Sequence, residues 1–374
     1  MASIRNEGRG VENEATVGTP PGLLYVGWTI CLTYNVRQRL QDPNEVRLLK
    51  YHDSLSTITS SSPSYSLLLT SHTTSQNPFF ANACIHLPSH DELYLTSSPL
   101  PSTSSSQLPQ VLISRVSLAR NSANELQTIT AAEWQKLRAP PSMPNPGGAC
   151  VYEDGIVYCA QGNLNPETGG LVFMPRNKPP TPVLTHYGGK SFNSLQRVAV
   201  SPVDGSLWFT DSDVGADSGI RPRAKMPNLV YRYAPQEGIT RVMANGLGRP
   251  CAIAFSADGE TVYISDVEAG KHEAEDARIR PSTIYAYDIT IRHEQPFLTN
   301  KRVFAAPFDG VATALLSDPM GNVYATCGDG VEIWSPGGVP LGLVEIAGGC
   351  SSLCFGWNEE LFIGAGQRLW WLHF

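Results

Sequence analysis

The 374-residue sequence is poor in charge. Asp, Glu, Lys and Arg make up 16% of it, against roughly 25% in an average soluble protein. The formal net charge is −7 and no basic stretch stands out, which argues against nucleic acid as a partner. Long hydrophobic runs are missing as well. Apolar stretches end after about ten residues, whereas a membrane-spanning helix takes about 20. The first 21 residues hold no apolar segment of the kind a secretory signal carries, and no Asn-X-Ser/Thr acceptor occurs anywhere. The eight cysteines (31, 84, 150, 159, 251, 327, 350 and 354) form no Cys-X-X-Cys, so a zinc ribbon or thioredoxin-type centre is not expected. These absences read as a cytoplasmic chain with reduced, mostly buried thiols. Neither Gly-X-Ser-X-Gly nor His-Glu-X-X-His occurs, which removes the nucleophile elbow of α/β-hydrolases and the helical zinc-protease motif.

What is abundant is turn chemistry. Gly and Pro together supply about one residue in six, which suits many short strands joined by turns. Six segments share one pattern of apolar run, turn and second strand: residues 85–98, 150–162, 198–211, 253–266, 315–330 and 353–366. The apolar residue after each turn is Leu93, Ile156, Leu207, Val262, Val323 or Leu361. Their mean spacing is about 54 residues, and further strand-like runs follow each hairpin, as expected of propeller blades. The expectation is an all-β chain, a six-bladed β-propeller over residues 22–374. A flexible segment of residues 1–21 precedes it. The last repeat is short, so the apolar runs beginning at Leu23 and Val46 are expected to complete blade six and close the ring. The Ser/Thr-rich stretches 54–66 and 97–106 read as solvated loops, and residues 130–137 as a short helix.

A propeller's ligand site lies on its axis, where the loops entering the innermost strands converge. Counting back eleven residues from the anchor gives Asn82, Gln196, Cys251 and Cys350, the last beside Ser351. Counting back ten in blade five gives Thr313, and the shorter loop of blade two puts Gly147 or Gly148 there. Histidines do not fall in this register. His86 and His90 read as structural, His186 and Tyr187 as surface residues within reach of the mouth, and His272 as part of a solvated charged loop. Asp211 and Asp266 close strands and read as turn-satisfying.

The stretches 192–200, 204–211, 248–256 and 328–334 resemble the SMP-30/gluconolactonase family, in its fungal lactonase branch. The resemblance implies a six-bladed propeller that holds one calcium or zinc ion on its axis and opens sugar lactones. The family's ligands, a Glu, two Asn and an Asp, map onto Asn82, Gln196, Cys251 and Thr313. None of the four is retained, and Arg197 adds positive charge. The expectation is therefore no cofactor, with a retained calcium or zinc ion as the alternative; Asp309 in a shifted register would then be the missing acid.

Metal-free propellers of this style resemble the fungal hetero-Diels–Alderases of tropolone–sesquiterpenoid pathways. That likeness implies a small-molecule partner derived from polyketide and terpene. Gln196, Arg197, Asn82 and Thr313 would be catalytic; Gln161, Phe192, Cys251, Cys350, Ser351 and Tyr187 would bind substrate. The alternatives are a divergent lactonase or esterase, for which axial carboxylates are the discriminating feature, and a non-catalytic binding platform.

Overall fold

The computed structural model describes residues 39–59, 63–101, 110–121, 128–268 and 282–374, together with the backbone of three short strands before them. Six blades, each built on an antiparallel sheet, follow one another in chain order, with a two-stranded hairpin of His186–Tyr187 and Lys190–Ser191 between blades two and three. Blade one is Cys84–Leu87, Glu92–Thr96, Leu112–Arg120 and Ile129–Arg138. Blade two is Pro146–Tyr152, Gly155–Ala160, Gly170–Pro175 and Thr181–Leu184. Blade three is Leu195–Val200, Leu207–Asp211, Leu229–Ala234 and Ile239–Ala244. Blade four is Pro250–Phe255, Thr261–Asp266, Thr283–Arg292 and Gln295–Ala305. Blade five opens with Ala314–Ser317, Val323–Cys327, Gly330–Trp334 and Pro340–Ile346, and blade six with Ser352–Phe355, Glu360–Ala365 and Arg368–His373.

The N-terminal region distributes itself differently from the expectation. Val46–Lys50 pairs with Pro340–Ile346 and so belongs to blade five. The fourth strand of blade six is Ser64–Thr70, which pairs with Arg368–His373. That strand begins inside a stretch whose serines read as loop; Tyr65, Leu68 and Leu69 bury against the last blade and override them. Leu24–Tyr25 extends blade six, Thr29–Ile30 runs parallel to the added strand of blade five, and Thr16–Gly18 pairs with the outer strand of blade one. Thr16–Gly18 falls within the segment expected to be flexible; the rest of residues 1–21, and His272, lie outside the described residues. Residues 130–137 are not a helix. They lie within Ile129–Arg138, where alternation buries Ile129, Ala132 and Trp134 against the blade and pairing with Leu112–Arg120 satisfies the backbone.

Each second strand is sandwiched between neighbouring blades and buried along its length, as in Glu92–Thr96, Leu207–Asp211 and Val323–Cys327. The core is correspondingly a set of wedges between blades. Phe362, Leu369 and Trp371 of blade six meet Cys84, Leu93 and Leu95 of blade one in one wedge. Val323, Ala325 and Trp334 of blade five meet Ala252, Tyr263 and Ile284 of blade four in another. Burying each large side chain contributes about 1.5–3 kcal/mol.

Blades one and six are also joined by charge. Arg120 donates from Nη1 and Nη2 to the two carboxylate oxygens of Glu360, at 2.5 and 2.9 Å, and from Nε to Asp91 at 2.6 Å. Glu360 further accepts from Trp371 Nε1 at 3.0 Å and the Trp357 amide at 3.1 Å. The Glu360 side chain is 2% exposed, so removing its cation leaves a buried charge. Arg120→Met should destabilise the fold by about 3–5 kcal/mol, read as a lowered urea midpoint. A change below about 1 kcal/mol would show that this pair does not hold the closure.

Candidate active site

The axial end of each blade is built by one local device. In blades two, three and four the pairing of the innermost strand with its neighbour slips by one residue near its start, between Pro146 and Ala149, Leu195 and Val198, and Pro250 and Ile253. These β-bulges turn Gly147, Gln196 and Cys251 out of the ladder, the usual way a sheet re-aims a side chain towards a site. In blade one the amides of Ala81 and Asn82 share the carbonyl of Thr96.

In four blades a hydroxyl on the second strand holds the entry. Thr96 Oγ1 accepts from the Ala83 amide at 2.9 Å, Thr210 from Arg197 at 3.2 Å, Ser265 from Ala252 at 2.8 Å and Thr326 from Ala314 at 2.9 Å. Rim groups then bond from blade to blade. Thr96 Oγ1 donates to the Gly147 carbonyl at 2.9 Å, Thr210 Oγ1 to the Cys251 carbonyl at 2.5 Å and Cys251 Sγ to the Thr313 carbonyl at 3.7 Å. Thr313 Oγ1 donates to the Ser351 carbonyl at 3.3 Å, and Ser351 Oγ to the Ala81 carbonyl. Carboxylates do similar work one layer out: Asp211 accepts from the amides of Asn193 and Ser194, and Asp266 from those of Gly248 and Arg249.

The position after the rim residue carries Ala83, Gly148, Ala252, Ala314 and Ser352 in five blades, and Arg197 in the sixth. Small side chains elsewhere leave room for one large one. Arg197 reaches across the axis, donating from Nε to the Thr313 carbonyl and from Nη2 to the Ser351 carbonyl, both at 3.0 Å. A Cβ on Gly148 would lie 2.5 Å from Arg197 Cδ and collide with the Gln196 carbonyl, so glycine is required where the side chain passes. Burial lowers the Arg197 pKa from its ordinary value, yet a guanidinium keeps its charge. No carboxylate pairs with it among the described residues, and Nη1 has no hydrogen-bond partner there.

Above Arg197 lies a cup of about 260 Å³. Asn82, Gln161, Gln196, Arg197, Cys251 and Thr313 line it, with Gly148 and apolar walls from Val214, Val267 and Val311. The structure thus brings together six of the residues singled out from the sequence. Gln196 donates from Nε2 to Ser194, and Asn82 from Nδ2 to the Ser97 carbonyl, which leaves both amide oxygens as acceptors.

The remaining candidates fall elsewhere. Ser351, rather than Cys350, holds the rim position of blade six, because the hairpin there is one residue shorter: Leu361 pairs with Phe355, six residues back, where Leu93 pairs with His86, seven back. Cys350 packs behind the rim, its thiol pushed up by burial. Phe192 is 3% exposed and packs edge-on against Phe209 and Tyr231, and Tyr187 packs on Tyr231, so neither lines the cup. His186 bonds Glu167, and His86 bonds Asp91. Asp309 pairs with Arg39 at 2.8 Å and is not a cup residue, which overturns the shifted register. Arg249, held by Asp213 and Asp217, also lines the cup. Like Val214, Val267 and Val311 it comes from a connecting loop, where the blade repeat gives no register.

The profile of the SMP-30/Gluconolactonase/LRE-like region matches residues 124–367. The chain belongs to this family. Among curated relatives, lactonohydrolase oryL of Aspergillus oryzae is 27% identical over 70% of this chain, and a gluconolactonase of Zymomonas mobilis is 28% identical over 60%. The chain spans 60% and 62% of the length of these relatives. A gluconolactonase structure from Xanthomonas campestris superposes with a TM-score of 0.66 at 21% identity, covering 90% of this chain and 98% of that one, and shows the shared fold.

The family resemblance implies a divalent cation on the axis. The donor set here does not fit one. Calcium takes six to eight hard oxygens, preferably carboxylate, and zinc takes thiolates or imidazoles in number. The axis offers the amides of Asn82, Gln161 and Gln196, a hydroxyl engaged with Thr326, a thiol whose pKa burial raises, and the guanidiniums of Arg197 and Arg249. Among the described residues no group of three or more His, Cys, Asp or Glu is placed to hold a metal.

Two outcomes follow for this scaffold. Thr210→Val should cost about 1–3 kcal/mol by leaving the Arg197 amide and the Cys251 carbonyl without their partner, and Thr210→Ser should keep most of it, measured by urea denaturation. Complete burial pushes the Asp211 carboxyl up from 3.8 to about 7, against the lowering by its two amide donors. The stability carried by its neutral form is full below pH 3.8 and is lost as pH rises through 7. Relative to Asp211→Asn, the wild-type Tm should therefore fall across that window; a rise would reverse the assignment.

Proposed function

We propose that this chain is a metal-independent enzyme acting on a small molecule, with the axial cup as its active site. One observation carries the reading: a guanidinium without a carboxylate partner among the described residues lies across the axis, in a cup lined by three side-chain amides. A cationic donor facing acceptors suits a substrate that brings its own reactivity and needs a polarised carbonyl and a steadied hydroxyl. The open cup, rather than an axis filled with side chains, supports catalysis over a platform role.

The finer reading is an inverse-electron-demand hetero-Diels–Alder cyclisation. A hydroxymethyl tropolone or phenol loses water to give an o-quinone methide. Its methylene carbon and oxygen then add across an alkene of a humulene-type macrocycle, forming one C–C and one C–O bond with no atom lost. Arg197 Nη1 donates to the heterodiene oxygen, lowering the orbital that the alkene attacks. The hydroxymethyl oxygen leaves as water by taking up the proton that the ring hydroxyl gives up, and the amide oxygens of Gln196 and Asn82, whose nitrogens are engaged, accept from that water. Thr313 and Gln161 orient it, and Val214, Val267 and Val311 face the terpene.

A second reading, lactone or ester hydrolysis, is favoured by the names of the relatives. Arg197 would polarise that carbonyl equally well. Hydrolysis also needs a base for water, and among the described residues neither a carboxylate nor an imidazole lines the cup.

The test offers the enzyme a quinone methide precursor with a humulene-type alkene, and separately sugar lactones, each with and without chelator. The expected result is chelator-insensitive formation of the dihydropyran, reduced about 10²–10³-fold in kcat/KM by Arg197→Met. Lactone hydrolysis that is lost to chelator and restored by calcium or zinc would overturn the reading.

A further inference from the structure

The axial channel does not end at Arg197. Below it, along the innermost strands, lies a second cavity of about 390 Å³, within the range of ligand sites. Of the residues the two cavities have in common, only Arg197 is charged; the other is Asn82. The lower walls are Ile85, Val151, Val198, Val200, Phe255 and Leu316 with alanines between them. At the far end the polar side chains among the described lining residues are Ser256 and Ser317, beside the backbone groups of the inner strands, and none of these lining residues is acidic. An apolar tube with a cationic inner end, whose charge no carboxylate answers, has the complementarity of an amphipathic anion.

We propose that this lower cavity is a separate ligand site for an aliphatic carboxylate, its chain along the inner strands and its carboxylate against Arg197. The site stands independently of the reaction in the cup. Arg197 lines both cavities, so an occupant of the lower one competes with the cup for one guanidinium.

Decanoate titrated into the full chain at neutral pH, followed by calorimetry, tests this. One-to-one binding is expected. Two fillings of the lower cavity from different blades, Ala149→Phe and Ser317→Trp, should each weaken it about tenfold or more, while Val214→Trp in the cup should leave it unchanged. Arg197→Met should weaken decanoate by about 10–100-fold, the worth of a charge-assisted bond, and leave decan-1-ol binding as it was. Circular dichroism identifies which variants remain folded. Absence of decanoate binding to the wild type, binding that survives the folded lower-cavity variants, or loss on filling the cup instead would each overturn the proposal.

Discussion

The structure depends on a ring of hydrogen bonds around the axis. Every innermost strand is an edge, and an edge strand offers unpaired backbone groups. Here those groups are used. A hydroxyl on the second strand fixes the entry to the first in four blades, and side chains at or beside the rim bond across five of the six blade junctions, all but that between blades two and three. Each bond contributes only about 1 kcal/mol net, but leaving such a buried amide or carbonyl unmade costs more than that. The ring is therefore a constraint on sequence as much as a source of stability. It sets where Asn82, Gln196, Cys251, Thr313 and Ser351 stand before any of them meets a ligand.

That constraint explains what the sequence disclosed. A repeat fixes register, so the anchors Leu93, Leu207 and Val262 locate the rim by counting, since each pairs seven residues back. Counting missed blade six because its hairpin is a residue shorter, a turn detail that apolar patterning does not record. Propensity misled at residues 130–137, where pairing across the blade outweighed helical spacing. The allocation of N-terminal strands was illegible for a different reason: their partners lie about 300 residues away, and either blade five or blade six could have taken them. Phe192 and Tyr187 were drawn to the mouth by sequence proximity, but their aromatic faces have better partners in the wedge behind it.

A family scaffold with an altered centre follows from one position. Five blades keep a small residue after the rim, and the sixth supplies Arg197. Gly148 is its counterpart, since a side chain there would occupy the path of the guanidinium. The cup of this chain is thus lined by guanidinium and, among the described residues, by no carboxylate, and fold alone never settles chemistry.

The long-range strand exchange has a consequence for biosynthesis. Val46–Lys50 and Ser64–Thr70 are made early, yet the strands they pair with come almost at the end. At about 5–20 residues per second, that interval is roughly 15–60 s. Through it Val46, Leu48 and Leu68, each nearly inaccessible in the finished ring, have no sheet to join. Blades one to four can assemble from local hairpins before those partners emerge, whereas five and six wait for them. Over that interval the nascent chain is an open arc with a tethered apolar ribbon.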